Sequence, residues 1–281
     1  MRKGKSKKRI KLTASNADKH ILYEQSVQSV DSNLEFMTQT FREYTGRELQ
    51  SLTEDFCGTA CLSCAWVESG DERVALGIDL DPEPLAWCRE NHIPSLSAPE
   101  RLTLVEGNVL DAREQKVDLI AAFNFSYFIF YDRDSLRRYF EVARTGLKED
   151  GMLMLDVFGG TTTFDVALEE QYVEPFKRYD GVKYGGYFYQ WEQAEFNVIT
   201  NRIKCHIHFG FEDDSSMKEA FTYEWRMWTV PEITEVLREA GFETTDVFIH
   251  GWDEDGDADD DFQKREVYDN EAGWIGFIVA K

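Results

Sequence analysis

Between residues 50 and 160, short apolar runs alternate with stretches of mixed polarity, the pattern of strands that each lead into a covering helix. Runs at 51–56, 73–79, 101–106, 116–124 and 151–158 read as strands, and the segments 59–68, 82–91 and 133–147 between them read as helices. The last helix has a stop signal, because Leu147 to Gly151 supplies a lysine and then a glycine. After Gly159-Gly160 the period changes: residues 170–228 alternate aromatic and polar positions, as in Tyr187-Phe188-Tyr189-Gln190-Trp191, with turn signals at Thr200-Asn201 and Asp213 to Ser216. That stretch reads as an antiparallel meander. Pro231 opens a helix through Ala240 that Gly241 ends, and late strands at 243–250 and 273–280 close the chain. Two more helices are expected upstream, at 17–30 and 32–44.

The expected architecture is α/β: a seven-stranded, mostly parallel sheet with helices on both faces and an inserted antiparallel β cap. Along the chain this divides into a basic tail (1–16), a helical segment covering the site (17–50), a nucleotide-type core (51–168), the cap (169–229), and a last helix with two core strands (230–281).

Charge narrows the partners. The 281 residues carry 31 basic and 53 acidic side chains, a net of −22. Seven of the basic ones (Arg2, Lys3, Lys5, Lys7, Lys8, Arg9, Lys11) crowd into the tail, so the remaining body repels a phosphate backbone. Nucleic acid is therefore not an expected partner, although the tail offers an arm for docking RNA or an acidic protein. No apolar run reaches membrane-span length and no apolar segment follows the basic start, so a cytoplasmic protein is expected, with no membrane partner.

Five cysteines (Cys57, Cys61, Cys64, Cys88 and Cys205) make no disulfide framework, and the first three lack a second ligand pair to close a metal tetrahedron. The acidic run Asp253 to Asp261 fails as a calcium loop, since Ala258 stands where glycine is needed and Lys264 where the last carboxylate belongs. No metal is assigned.

In an open parallel sheet a ligand sits beyond the carboxyl ends of the strands, where strand order reverses, so the first strand-to-helix turn is the place to look. That turn is Glu54-Asp55-Phe56-Cys57-Gly58-Thr59-Ala60. It is neither a dinucleotide fingerprint nor a phosphate loop. One glycine permits close backbone approach, and Asp79, 21 residues beyond Gly58, has the reach of a carboxylate for ribose hydroxyls. Glu106-Gly107-Asn108-Val109 then offers a side-chain carbonyl and a backbone amide for an adenine edge. Asp81 before Pro82 reads as a helix N-cap.

The run Glu54 to Ala60 resembles the first motif of the class I S-adenosylmethionine-dependent methyltransferases, whose fold is Rossmann-like. Gly77 to Pro82, Gly107-Asn108-Val109, Ala122 to Tyr127 and Leu147 to Asp156 resemble its later motifs in order, and Val230 to Phe242 its late helix and turn. The resemblance implies S-adenosyl-L-methionine as cofactor and a small-molecule nitrogen or oxygen as methyl acceptor. It places Tyr23, Glu54, Phe56, Cys57, Gly58, Thr59, Asp79, Leu80, Asn108, Val109 and Asn124 at the cofactor. Phe56 and Ala60 stand where the family carries glycines, which implies a crowded loop and leaves a catalytically degenerate cofactor binder as an alternative, beside an RNA or protein methyltransferase docking through the tail. Asn124 to Tyr127 faintly resembles the N-P-P-Y element of amino-group methyltransferases but lacks both prolines.

Methyl transfer needs alignment and exclusion of water more than a dedicated acid or base, so no catalytic residue is singled out. Candidates for the acceptor wall are Phe125, Tyr127, Tyr187, Trp191 and His206; His206 and His208, two apart, are expected on one side of a strand.

Overall fold

The computed structural model describes residues 9–252, 258, 259 and 261–281. Residues 1–8 of the basic tail, and 253–257 and 260 of the acidic run, lie outside them. The chain forms two compact units, one made of residues 1–28 and 164–226, the other of 29–163 and 227–281. The partition separates the two early helices that the sequence leaves as one segment.

The elements in order are α1 (Lys19–Val27), α2 (Val30–Thr45), β1 (Ser51–Asp55), α3 (Cys61–Glu68), β2 (Val74–Asp79), α4 (Pro82–Asn91), β3 (Leu102–Glu106), β4 (Val117–Ala122), α5 (Arg133–Thr145), β5 (Leu147–Gly159), β6 (Ala167–Val173), β7 (Tyr187–Asn197), β8 (Arg202–Gly210), β9 (Ser216–Arg226), α6 (Val230–Glu239), β10 (Thr245–Ile249), β11 (Gln263–Lys264) and β12 (Trp274–Ala280).

The larger unit is a sheet in the order β11-β10-β12-β5-β4-β1-β2-β3. Strands β3, β2, β1, β4 and β5 run parallel, and β12 lies antiparallel between β5 and β10. The sheet has eight strands against the seven expected, because the two-residue β11 adds an edge on β10. Alternation along the central strands feeds both faces. Leu119, Ala121, Met152 and Met154 share a core with Phe36, Met37, Trp66 and Leu85 from α2, α3 and α4. The intervening Ile120, Leu153 and Leu155 are equally buried, and α5 packs on β5 and against α6.

One boundary differs from the sequence reading. β5 begins at Leu147, so Lys148 to Gly151 is strand and not a helix stop. Its pairing with β4 shifts register between Val117 and Leu119, and a side chain at Gly151 would press on the Val117 and Asp118 carbonyls at 3.0 Å. Behind that irregularity, fully buried Asp118 accepts from Arg47 (2.7 Å), Lys148 (2.9 Å), the Gln50 and Ser51 amides (3.1 and 2.9 Å) and the Ser51 hydroxyl (2.9 Å).

The smaller unit is a four-stranded antiparallel sheet in the order β6-β7-β8-β9. One face carries Tyr187, Ile207 and Phe209, which pack with Leu12 and with Leu22, Tyr23 and Val27 of α1. Among the described residues no helix is long and apolar enough to cross a membrane.

Candidate functional site

The chain steps from β1 outward to β2 and β3, then returns to place β4 on the other flank of β1. The reversal lies between β1 and β4, so their carboxyl ends, the turn 54–60 and the segment 122–126, frame the candidate site.

The first turn is held in an uncommon backbone shape. Phe56, Gly58 and Ala60 have φ of 58°, 53° and 53°, all in the left-handed region. Only glycine adopts that region freely, so Phe56 and Ala60 each carry strain of order 1 kcal/mol. The two departures from glycine therefore preserve the glycine conformation. Nor does Phe56 crowd the loop as its bulk implies, because its ring packs on Phe130 and Tyr139 at centroid distances of 6.2 and 5.6 Å. A Cβ built on Gly58 meets nothing within 4 Å, so the backbone there borders open space.

Asp79 fixes this turn from β2. One of its carboxylate oxygens accepts the Gly58 amide (2.7 Å) and the other the Asp81 amide (2.9 Å). Burial raises the Asp79 carboxyl, against the pull of those amides. Asp81 itself caps α4 by accepting the Glu83 amide (2.9 Å), with Pro82 following, as its sequence context predicts.

Glu54 is buried beneath the turn. Its Oε2 accepts both the amide (2.9 Å) and the hydroxyl (2.5 Å) of Ser63 in the first turn of α3. Burial outweighs these bonds and pushes the carboxyl up to about 7. Cys57 is buried, its amide bonded to the Ile78 carbonyl (3.0 Å), and burial keeps its thiol protonated; Thr59 is buried beside it. Leu80 is mostly exposed.

On the other flank, Asn124 and Phe125 have φ of 57° and 56°, two consecutive left-handed residues. Their amides donate to the two carboxylate oxygens of Asp156 on β5 (2.6 and 2.8 Å). Asp156 is buried, which raises it to about 7 despite those amides. Sequence reading missed Asp156 as a site residue; its signal is a lone carboxylate inside the apolar strand GMLMLDVF. Ser63 was missed too.

Past β3, the Asn108 carbonyl oxygen of the side chain accepts the Leu110 amide (2.9 Å), and Val109 is buried. Asn108 thus shapes the turn with the same atom expected to meet an adenine.

The acceptor-wall candidates divide between the two units: Phe125 and Tyr127 belong to the larger, and Tyr187, Trp191 and His206 to the smaller. Tyr127 is fully buried and donates to the Asp156 carbonyl (2.8 Å), while Phe125 packs on Phe158. Tyr187, in the smaller unit, is core: its hydroxyl donates to the Leu22 carbonyl (3.0 Å) and pairs with Ser26 (2.7 Å). Trp191 pairs with Ile207 and His206 with Glu192, so strand alternation places His206 on the face opposite Tyr187 and Trp191. His206 and His208 do share a side, with rings 5.9 Å apart; the first meets Thr222 (2.9 Å) and the second Glu192 (3.1 Å). Tyr23 belongs to the smaller unit as well, its ring 4.8 Å from that of Phe221.

Glu54 and Asp156 hold protons near neutrality only in the folded chain. A raised acid stabilises the fold below its ordinary range, and that contribution is lost as pH rises through the folded value. Stability is expected to fall between about pH 5 and pH 8, by at most on the order of 3 kcal/mol for Glu54. Glu54→Gln retains an acceptor for Ser63 and cannot ionise. Its urea midpoint should exceed that of the wild type at pH 8 and match it at pH 5; equal midpoints at both would refute the assignment.

No family profile matches the sequence, and no curated protein matches it at the sequence level. Solved structures do match the fold. CalS10, a S-adenosylmethionine-bound amino pentose methyltransferase from Micromonospora echinaspora involved in calicheamicin biosynthesis, superposes with a TM-score of 0.65 at 14% identity, over 93% of this chain and 94% of its own. A S-adenosylmethionine-dependent methyltransferase from Clostridium acetobutylicum gives 0.63 at 15%, over 92% and 96%. The sugar N-methyltransferase KedS8 from a Streptoalloteichus species gives 0.60 at 15%, over 97% and 96%.

Proposed function

We propose that this chain, which has the fold of the class I S-adenosylmethionine-dependent methyltransferases, binds S-adenosylmethionine and catalyses transfer of its methyl group to a nitrogen or oxygen of a small molecule. The observation that carries the reading is the turn 56–60: an open backbone surface at Gly58, clamped by the Asp79 carboxylate at the reversal point of the sheet. When bound, the cofactor supplies an electrophilic methyl on a sulfonium.

The donor set suits that group. Both Asp79 oxygens keep lone pairs beyond their amide bonds, enough to accept two ribose hydroxyls. Both Ser63 bonds to Glu54 fall on Oε2, leaving Oε1 for an ammonium group. The buried carboxyls at 54 and 156 and the half-buried one at 79 favour a cationic ligand over an anionic one, and no lysine of a phosphate loop is present. The Asp156 clamp on Asn124 and Phe125 holds the β4 end fixed, as alignment of an acceptor requires. The free turn beside Phe56 favours a working enzyme over a degenerate binder. CalS10 and KedS8 act on amino and sugar substrates by name, which supports nitrogen on a small polar molecule as the acceptor.

Calorimetric titration of the full chain with S-adenosylmethionine and S-adenosylhomocysteine tests the reading. A dissociation constant at or below roughly 10 µM, about 7 kcal/mol, is expected for both. No heat from either overturns it.

A further inference from the structure

The last two residues of β1 are both carboxylates, and strand alternation sends them to opposite faces. Glu54 meets Ser63 of α3, whereas Asp55 meets Tyr139 of α5, whose hydroxyl donates to it at 3.0 Å. Asp55 takes a further partner from far along the chain. Arg113, in the loop between β3 and β4, grips it with two guanidinium nitrogens, each at 2.8 Å. Both side chains are out of solvent, at 6% and 0% exposure.

Burial costs Asp55 more than Arg113 returns, so its carboxyl stays raised. The guanidinium Nε is also buried with no hydrogen-bond partner among the described residues. A buried ion pair is weak evidence for folding energy, because desolvation offsets the attraction, whereas its fork geometry is a strong constraint on position.

What Arg113 defines is the loop. The nitrogen that meets Asp55 Oδ2 also donates to the Val109 carbonyl at 3.3 Å. The arginine stem passes over Gly146 at the end of α5, where an added Cβ would lie 2.7 Å from Arg113 Cγ. The same loop is also held by its own turn, the Leu110 and Asp111 amides on Asn108, by the Gly107 amide on the Asp79 carbonyl and by burial of Val109. Arg113 is a tie that links Val109 to the end of β1.

We propose that Arg113 is a positioning residue for base recognition: fixed by Asp55 and by the space at Gly146, it holds the Asn108–Val109 backbone at the distance from β1 that an adenine needs. This deepens the reading of the site as one for an adenosine cofactor, and rests on it.

The test titrates S-adenosylhomocysteine and its hypoxanthine analogue into the wild type, Arg113→Lys and Gly146→Ala. Exchanging adenine for hypoxanthine replaces the 6-amino donor by a carbonyl and the N1 acceptor by an N–H donor, so the affinity ratio reports the base edge alone. The wild type is expected to prefer adenine by at least about tenfold, the worth of one unmade hydrogen bond. Lysine keeps the charge and loses the fork. Alanine at 146 keeps the arginine and displaces its stem, which serves also if Arg113→Lys fails to fold. Both variants should reduce the ratio to under about threefold. An unchanged ratio overturns the proposal, and so does an equal loss for both ligands, the mark of a merely structural role. If the wild type binds neither ligand, the cofactor reading falls and this proposal with it.

Discussion

Asp79→Ala is expected to weaken S-adenosylmethionine binding at least tenfold, about 1.4 kcal/mol, and to do so through two separate losses. The ribose loses its acceptor, and the Gly58 amide loses the oxygen that holds it at 2.7 Å. Without that bond the strain at Phe56 and Ala60, both at positive φ, is opposed by fewer contacts, and the turn is freer to relax toward ordinary dihedrals. Asp79→Asn separates the losses, since its single carbonyl oxygen can accept the Gly58 amide or the Asp81 amide but not both in their present arrangement. Calorimetry should place Asn between wild type and Ala. Wild-type affinity in the alanine variant would remove Asp79 from the cofactor site.

The largest loss of stability is expected at the opposite end of the same strands. Asp118→Ala removes five hydrogen bonds at once. Arg47 and Lys148 are partly solvated, at 36% and 42% exposure, and can turn to water. The Gln50 and Ser51 amides at the start of β1 cannot do so as easily, and each unmade bond costs roughly 1–3 kcal/mol. A destabilisation of about 3–5 kcal/mol follows from the two amides together. Burial opposes the charge on Asp118, yet the bonds from Arg47, Lys148 and Ser51 outweigh it and hold the carboxyl well below the usual range. That contribution is present above the ordinary carboxylate range and lost as pH falls below it. Urea melts at pH 7 should show the full difference and melts near pH 2 a smaller one; a difference under about 1 kcal/mol at pH 7 would show the network to be dispensable.

The parallel sheet was legible because its signal is redundant. Most of its strands are apolar runs, α4, α5 and α6 carry side-chain N-caps at Asp81, Asp132 and Thr229, and α4 matches its expected span from Pro82 to Asn91 because Asp81 and Pro82 mark its start unambiguously. The start of β5 was not legible, since Lys148-Glu149-Asp150-Gly151 has a helix-stop composition and is strand only through pairing with β4. At the site, the cofactor residues that sequence reading named are those on the first turn, at or just past the ends of β2, β3 and β4, and Tyr23 of α1. Those it missed act through contacts remote in sequence: Asp156 reaches Asn124 across 32 residues, and Arg113 reaches Asp55 across 58. The aromatic alternation of the meander foretold strands, but not which face each ring would take. Tyr187 and His206 are an odd number of residues apart on paired strands, and the register alone assigns them to opposite sides.

The smaller unit is assembled from two distant pieces of chain, and this sets a schedule. Leu22 of α1 accepts its hydrogen bond from Tyr187, 165 residues later. At roughly 5–20 residues per second of synthesis, about 10–30 seconds pass between the emergence of α1 and that of the strands that bury it. Until then Leu12, Leu22 and Val27 have no apolar surface of their own unit to cover them. The helix is too short to persist alone in water. Segment α1 is therefore among the last parts of its unit to acquire structure, and the growing chain carries it uncommitted until β7 and β8 have followed.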